Sequence, residues 1–119
     1  RLFEMALGRV QASGRGLADE LLSLSPRPTA LFVSNNLMAV GALEAIHMKK
    51  LKVPQEVALI GFDDLPWAEA LDPPLTVVRQ PAYEVGRAAA EMLLKRLGDR
   101  SLPAAWLRLR PRLIVRNSC

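Results

Sequence analysis

Cysteine, histidine and aromatic residues are all scarce in this chain. The single cysteine, Cys119, stands last in 119 residues. One thiol cannot close an internal disulfide, which favours a reducing, cytoplasmic setting. With one histidine, His47, and scattered acids it makes no metal-ligand cluster. His47 reads as a partly exposed structural residue. Aromatic side chains make up 5% of the chain, and a base-stacking nucleic-acid surface is not evident. No run of about 18 or more apolar residues occurs, so no transmembrane helix is expected. The start, Arg1-Leu2-Phe3-Glu4-Met5, has neither an initiator methionine nor an apolar leader with a cleavage site. It reads as an internal start, with a leader or a whole domain able to precede it.

Half of the residues are hydrophobic and 24% are charged, the balance of a globular domain. The length suits one domain. The net charge of +4 admits an anionic partner. It is equally met by a tail in which Arg108, Arg110, Arg112 and Arg116 alternate with Leu107, Leu109, Leu113 and Val115. That alternation predicts a strand with one buried face and one solvated basic face.

Strand and helix patterns alternate along the chain. Residues 3–7 are a candidate short strand. Ser13 is a candidate cap for a helix over 14–24, its apolar side Leu17, Leu21, Leu22 and Leu24, its start weakened by Gly14 and Gly16. Pro26-Arg27-Pro28 stops it. The continuous apolar runs 29–34 (TALFVS) and 57–62 (VALIGF) predict strands buried on both faces. Between them a helix over 36–50 opens behind Asn35-Asn36, one of which can cap it. Its first half is apolar all round, which fits either a second face packed on a partner or a central core helix. Lys49, Lys50 and Lys52 suit its carboxyl end. Pro66, Pro73 and Pro74 mark an irregular connection before a third strand, 75–79. Pro81 opens a helix to about Leu97 with a buried stripe of Val85, Ala89, Met92, Leu93 and Leu97. Residues 104–116 close the pattern as one or two strands.

This order predicts an α/β fold: a mostly parallel sheet with helices on both faces. Such sheets bind ligands at the carboxyl ends of their strands. The polar residues there are Asn35 and Asn36, Asp63 and Asp64, and Gln80.

Catalytic motifs find little support. Ser34 lies outside a nucleophile elbow. Gly14-Arg15-Gly16 is too short for a phosphate loop. Asp63-Asp64 admits three readings: a Mg²⁺ pair, as in phosphoryl transfer; a plain turn and cap; or, with Asn35, a carboxylate-and-amide set that holds hydroxyl groups without turnover. A joint metal role needs the loop to bend, because neighbouring strand residues face opposite ways.

Four strings, RPTALFVSNNLMAVGAL (27–43), LKVPQEVALIGFDDLP (51–66), PPLTVVRQPAYEVGRAAAEMLL (73–94) and LRPRLIVRNS (109–118), together resemble the C-terminal half of the LacI/GalR regulators. The resemblance covers roughly residues 13–118. It implies a periplasmic-binding-protein-like sensing domain, with residues 1–119 forming its C-terminal subdomain. The DNA-binding head and N-terminal subdomain would lie outside this chain. It implies a cytoplasmic repressor, no enzyme and no cofactor, that takes a small sugar or related metabolite as effector. It further implies a homodimer, with operator DNA bound through the missing head.

Residue by residue, Asn35 falls on the family's effector-contacting asparagine, and Asn36 replaces its usual aspartate. Asp63 falls on the effector-binding aspartate behind an aromatic, here Phe62. Gln80 matches a cleft-facing glutamine in some members. Arg9 stands where many members place a stacking aromatic, implying a charged or strongly polar effector. Leu37, Val40 and Leu43, with the segment Trp67–Leu71 including Ala70, fall on the dimer interface. A periplasmic sugar-binding protein of an ABC transporter shares the fold and is the alternative.

Overall fold

The computed structural model describes residues 2–119, with side chains described from Arg9 onward. Its elements run α1 (Leu2–Leu22), β1 (Ala30–Phe32), α2 (Asn36–Met48), β2 (Ala58–Phe62), α3 (Pro66–Ala70), β3 (Thr76–Arg79), α4 (Ala82–Gly98) and β4 (Arg112–Ile114). The chain forms two compact units. One is the chain up to Arg79 together with Leu113–Cys119; the other is Gln80–Arg112.

In the first unit the strands lie in the order β1-β2-β3-β4. β1 pairs with β2 in parallel, Ala30 opposite Ala58, and β2 with β3, Ile60 opposite Thr76. Parallel pairing requires a crossover, supplied by α2 between β1 and β2. The register puts Leu31, Leu59 and Val77 on one face and Phe32, Ile60, Phe62 and Val78 on the other. The first face is buried: Leu31, Val33, Val57, Leu59, Leu75 and Val77 share one core with residues of α1, α2 and α3. On the second face Phe32 is exposed and Ile60, Phe62 and Val78 are half-buried. Burial of these strands on both faces, expected from their unbroken apolar runs, is therefore met on one face within this unit. All three helices of the unit feed the same core cluster.

The apolar circumference of α2 has a local explanation. Ala39, Ala42, Ala45 and Ile46 are buried, and α1 packs against the helix through glycines. A Cβ on Gly14 would stand 2.6 Å from the Cα of Met38, and one on Gly41 would strike the backbone of Gln11 and Arg15. The second apolar face thus seats α1. Beyond that contact, Gln11 Nε2 donates to Glu44 Oε1 at 2.6 Å, and Lys49 Nζ reaches Asp19 at 3.0 Å and Ser23 at 2.8 Å.

Several expectations are corrected. Residues 3–7 lie inside α1, which begins well before Ser13, so Ser13 is an interior helical residue and caps nothing. Gly14 stays helical because the close approach to α2 needs a residue without a side chain. The connection after Asp64 is partly ordered, since Pro66 starts the short α3. In the second unit α4 buries none of its residues, and Leu93 and Leu97 of its expected stripe stay exposed. A single helix with an irregular tail has no second surface on which to bury a stripe. The closing strand is confined to Arg112–Ile114. Arg108 stacks over Trp106 at 5.0 Å in the irregular part.

Candidate functional site

The parallel register brings the carboxyl ends of β1, β2 and β3 to one edge, on strands about 4.8 Å apart. At the end of β1 the chain turns into α2 through Asn35. This residue is extended, and its Oδ1 accepts the N–H of Met38 at 2.9 Å as the helix N-cap. Asn36 is the first helical residue. The cap uses Oδ1, and the amide's other group, Nδ2, is a hydrogen-bond donor.

β2 ends on Phe62, whose ring meets that of Phe32 edge-on, centroids 6.5 Å apart at 88°. The next residue, Asp63, takes a φ of 74° while its N–H holds the carbonyl of Val78 at 2.9 Å. Left-handed backbone is uncommon for any residue but glycine, although aspartate tolerates it better than most. Asp64 turns to two arginines: Arg116 donates to Oδ1 and Oδ2 at 3.0 Å each, and Arg79 Nε donates to Oδ2 at 2.9 Å. The side chain of Asp64 is 4% exposed. Its bonds to Arg116, reinforced by Arg79, hold its pKa below the usual aspartate range against the opposing effect of burial. The same pairing raises the pKa of Arg116. Asp64 is thereby committed to a structural ion network and does not join Asp63 as a metal pair. Among the described residues no group of three or more His, Cys, Asp or Glu side chains stands together as a metal site.

Arg116 was expected on a solvated basic face; it is instead half-buried as a residue, its side chain 12% exposed. A carboxylate buried beside it supplies the reason. The tail that carries it is stitched to the sheet. Arg116 N–H donates to Thr76 Oγ1 at 2.9 Å and Asn117 N–H to the Pro74 carbonyl at 3.1 Å. Ser118 Oγ donates to the Leu59 carbonyl at 2.6 Å and accepts the Thr76 N–H at 2.8 Å. Sequence reasoning misplaced Arg116 and passed over Ser118. One signal was available: Thr76 is a polar residue in a buried strand, and such a group needs a partner.

The structure gathers Asn35, Phe62 and Asp63 at one edge. Arg9 is exposed on α1. Its near neighbour Gln11 bonds Glu44, on the helix that Asn35 caps. Gln80 opens the second unit. Of the expected interface residues, Leu37, Val40, Leu43, Trp67 and Leu71 are half-buried and Ala70 is exposed. Leu43, Trp67 and Leu71 lean on the core. A cleft of about 490 Å³ lies near the opposite edge, lined by Ile46, Leu51, Val53, Leu71, Leu75 and others. Its polar lining is His47, Lys52, Gln55, Asp72 and the buried Ser118, the last already bonded on both sides.

A parallel sheet with polar groups gathered at its carboxyl edge is a known class of binding module, and comparison with known proteins identifies it. The periplasmic binding protein-like domain family matches residues 3–119, and the chain belongs to that family. Its relatives are LacI-type regulators. It is 38% identical over 101 residues to the HTH-type transcriptional repressor PurR of Vibrio campbellii, covering 85% of this chain and 30% of that protein. It is 41% identical over 99 residues to the ribose operon repressor of Escherichia coli, covering 83% and 30%. Among solved structures, a putative LacI transcriptional regulator from Bacillus cereus superposes with a TM-score of 0.85 at 28% identity, over 92% of this chain and 39% of that one. The transcriptional regulator CelR in complex with cellobiose gives 0.84 at 35% identity, over 92% and 33%. The chain thus spans about 30% of the length of the curated relatives it matches. Among the described residues no helix is long and apolar enough to cross a membrane.

Proposed function

We propose that this chain is the effector-sensing and dimerisation part of a LacI-type transcriptional repressor that responds to a small sugar or sugar-like metabolite. The observation that carries the reading is Asp63. A carboxylate residue held at a φ of 74° at the end of β2, next to the strand whose end carries the Asn35 cap, is the kind of backbone outlier that clusters at ligand clamps. A carboxylate accepts from hydroxyl groups and an amide NH₂ donates to them, so the pair suits a polyol, or the hydroxyls and ring nitrogens of a nucleoside. Phe62, braced by Phe32, offers an apolar edge beside them. Gln80 and Arg9 stand as further effector contacts on the strength of the family pattern.

The relatives support a regulator over a transport receptor and over an enzyme, since those named are repressors. Matched proteins carry sugars in their names or titles, among them ribose and cellobiose. In this reading the other half of the cleft and a DNA-binding head lie outside the 119 residues, and the whole protein works in the cytoplasm on operator DNA. Leu37, Val40 and Leu43, with Trp67, Ala70 and Leu71, form a homodimer seam, which matches the two-fold symmetry of repressor operators. Effector closes the cleft as a hinge and shifts the arrangement of subdomains within the dimer. Effector and operator are then linked by one coupling free energy, typically about 1–3 kcal/mol.

The test is a calorimetric titration of the full-length regulator with ribose, glucose, cellobiose and nucleosides, paired with operator binding. Asp63→Ala should abolish the effector response and leave operator affinity intact. A variant that responds as the natural protein does would remove Asp63 from the site.

A further inference from the structure

The same edge of the sheet carries a second arrangement, built from residues that do not belong to the ligand-binding set. Asp64, Arg79 and Arg116 come from three separate segments: the turn after β2, the last residue of β3 and the C-terminal tail. Their contacts are charge-assisted, and the Arg116–Asp64 pair uses both carboxylate oxygens and both terminal guanidinium nitrogens. Arg116 NH1 also donates to the Leu75 carbonyl at 2.8 Å, and its backbone N–H is held by Thr76. The guanidinium is therefore anchored to the backbone of β3.

We propose that Asp64, Arg116 and Arg79 form a positioning clamp that imposes the left-handed conformation of Asp63, so that a residue of the C-terminal tail sets the geometry of the ligand-binding carboxylate. A non-glycine residue persists at positive φ only where its surroundings over-determine it. Asp63 is fixed on both sides. Its own N–H is tied to Val78 at 2.9 Å, and the next side chain is gripped by two arginines. Returning Asp63 to extended backbone would swing Asp64 away from Arg116. That would leave a largely buried carboxylate and a largely buried guanidinium without each other, a more expensive state than the backbone outlier. The residues act through Asp63 and touch no ligand. The functional meaning of the clamp rests on the reading of Asp63 as an effector contact; the conformational claim does not.

The experiment is ligand-free and uses the isotopically labelled 119-residue chain. A residue at positive φ has its amide proton unusually close to its own Hα, so Asp63 should give a strong intraresidue amide–Hα NOE. Its amide, bonded to Val78, should exchange slowly with solvent. Arg116→Gln should erase the Asp63 signature and accelerate its amide exchange by at least tenfold, while the core resonances of Leu59 and Val77 stay in place. Retention of the signature in a folded Arg116→Gln chain overturns the proposal. If that variant does not fold, Asp64→Asn and Arg79→Gln are read instead. Arg79 is largely exposed, so its loss leaves the core standing. Loss of the Asp63 signature in either supports the clamp, and retention in both overturns it. Arg116→Lys, a point charge that cannot grip both oxygens, should restore the signature only in part. Failure here leaves the effector reading untouched, whereas an Asp63→Ala regulator that still responds to effector would sink that reading and not the clamp.

Discussion

Gly41→Ala and Gly16→Ala make the same chemical change inside helices and should act with opposite sign. In an exposed helix interior, replacing glycine by alanine stabilises by about 0.5–1 kcal/mol, because glycine loses more backbone entropy on folding. Gly16 meets that condition, as a Cβ there finds nothing within 4 Å. At Gly41 the new methyl would stand 2.6 Å from the Arg15 backbone nitrogen and 3.1 Å from the Gly14 carbonyl carbon, with the Gln11 carbonyl oxygen nearer still. None of these atoms can rotate aside. Normal contact requires about 3.5 Å, so α1 must withdraw by about 1 Å along the crossing. Ala18 and Leu22, which α1 contributes to the core, would lose packing with it. Overpacking of this kind costs about 1–3 kcal/mol, and the helix-propensity gain returns up to about 1 of that. A net loss of about 1–2 kcal/mol corresponds to a fall in Tm of roughly 5–10 °C for a chain of this size. Thermal and urea unfolding of the two variants beside the natural chain measure the difference. A Gly41→Ala chain as stable as Gly16→Ala would mean that α1 does not cross α2 at backbone contact.

Three further outcomes follow from the site. Asn35→Asp keeps the cap, which aspartate supplies as well, but removes the Nδ2 donor; Tm should hold while effector affinity falls, and Asn35→Ala should lose about 1 kcal/mol as well. Ser118→Ala removes a hydroxyl that serves both the Leu59 carbonyl and the Thr76 N–H in a buried setting, and urea unfolding should register a loss of about 2–3 kcal/mol. Asp64 has a folded pKa below its unfolded value near 3.8, so its contribution is present above that value and is lost as pH falls through the folded one. Stability should drop below about pH 4, and Asp64→Asn should flatten that part of the pH–stability profile.

What the sequence disclosed, and what it withheld, divides by the range of the interaction. The runs TALFVS and VALIGF were legible as strands because apolar length and flanking breakers are local properties. The position of Asn35 and Asp63 at one edge was legible because a parallel sheet turns the carboxyl ends of its strands to one side whatever the family; Phe62 was singled out only through the resemblance. Arg116 was misread because its burial depends on a carboxylate 52 residues away, and alternation of arginine with leucine looks the same whether the charge meets water or Asp64. Ser118 was missed for the same reason: its two partners sit on two different strands. Gly14 looked like a weakness in a helix, and only the crossing with α2 turns it into a requirement.

Two of the misreadings, Arg116 and Ser118, fall where the tail returns to the sheet. A chain that ended before Arg116 would lose the stitching of Asn117 and Ser118 to the sheet. It would also lose the guanidinium that answers Asp64, and with it the bonds that make positive φ at Asp63 the lowest state. Backbone geometry at the end of β2 is in this sense a property of the C-terminus.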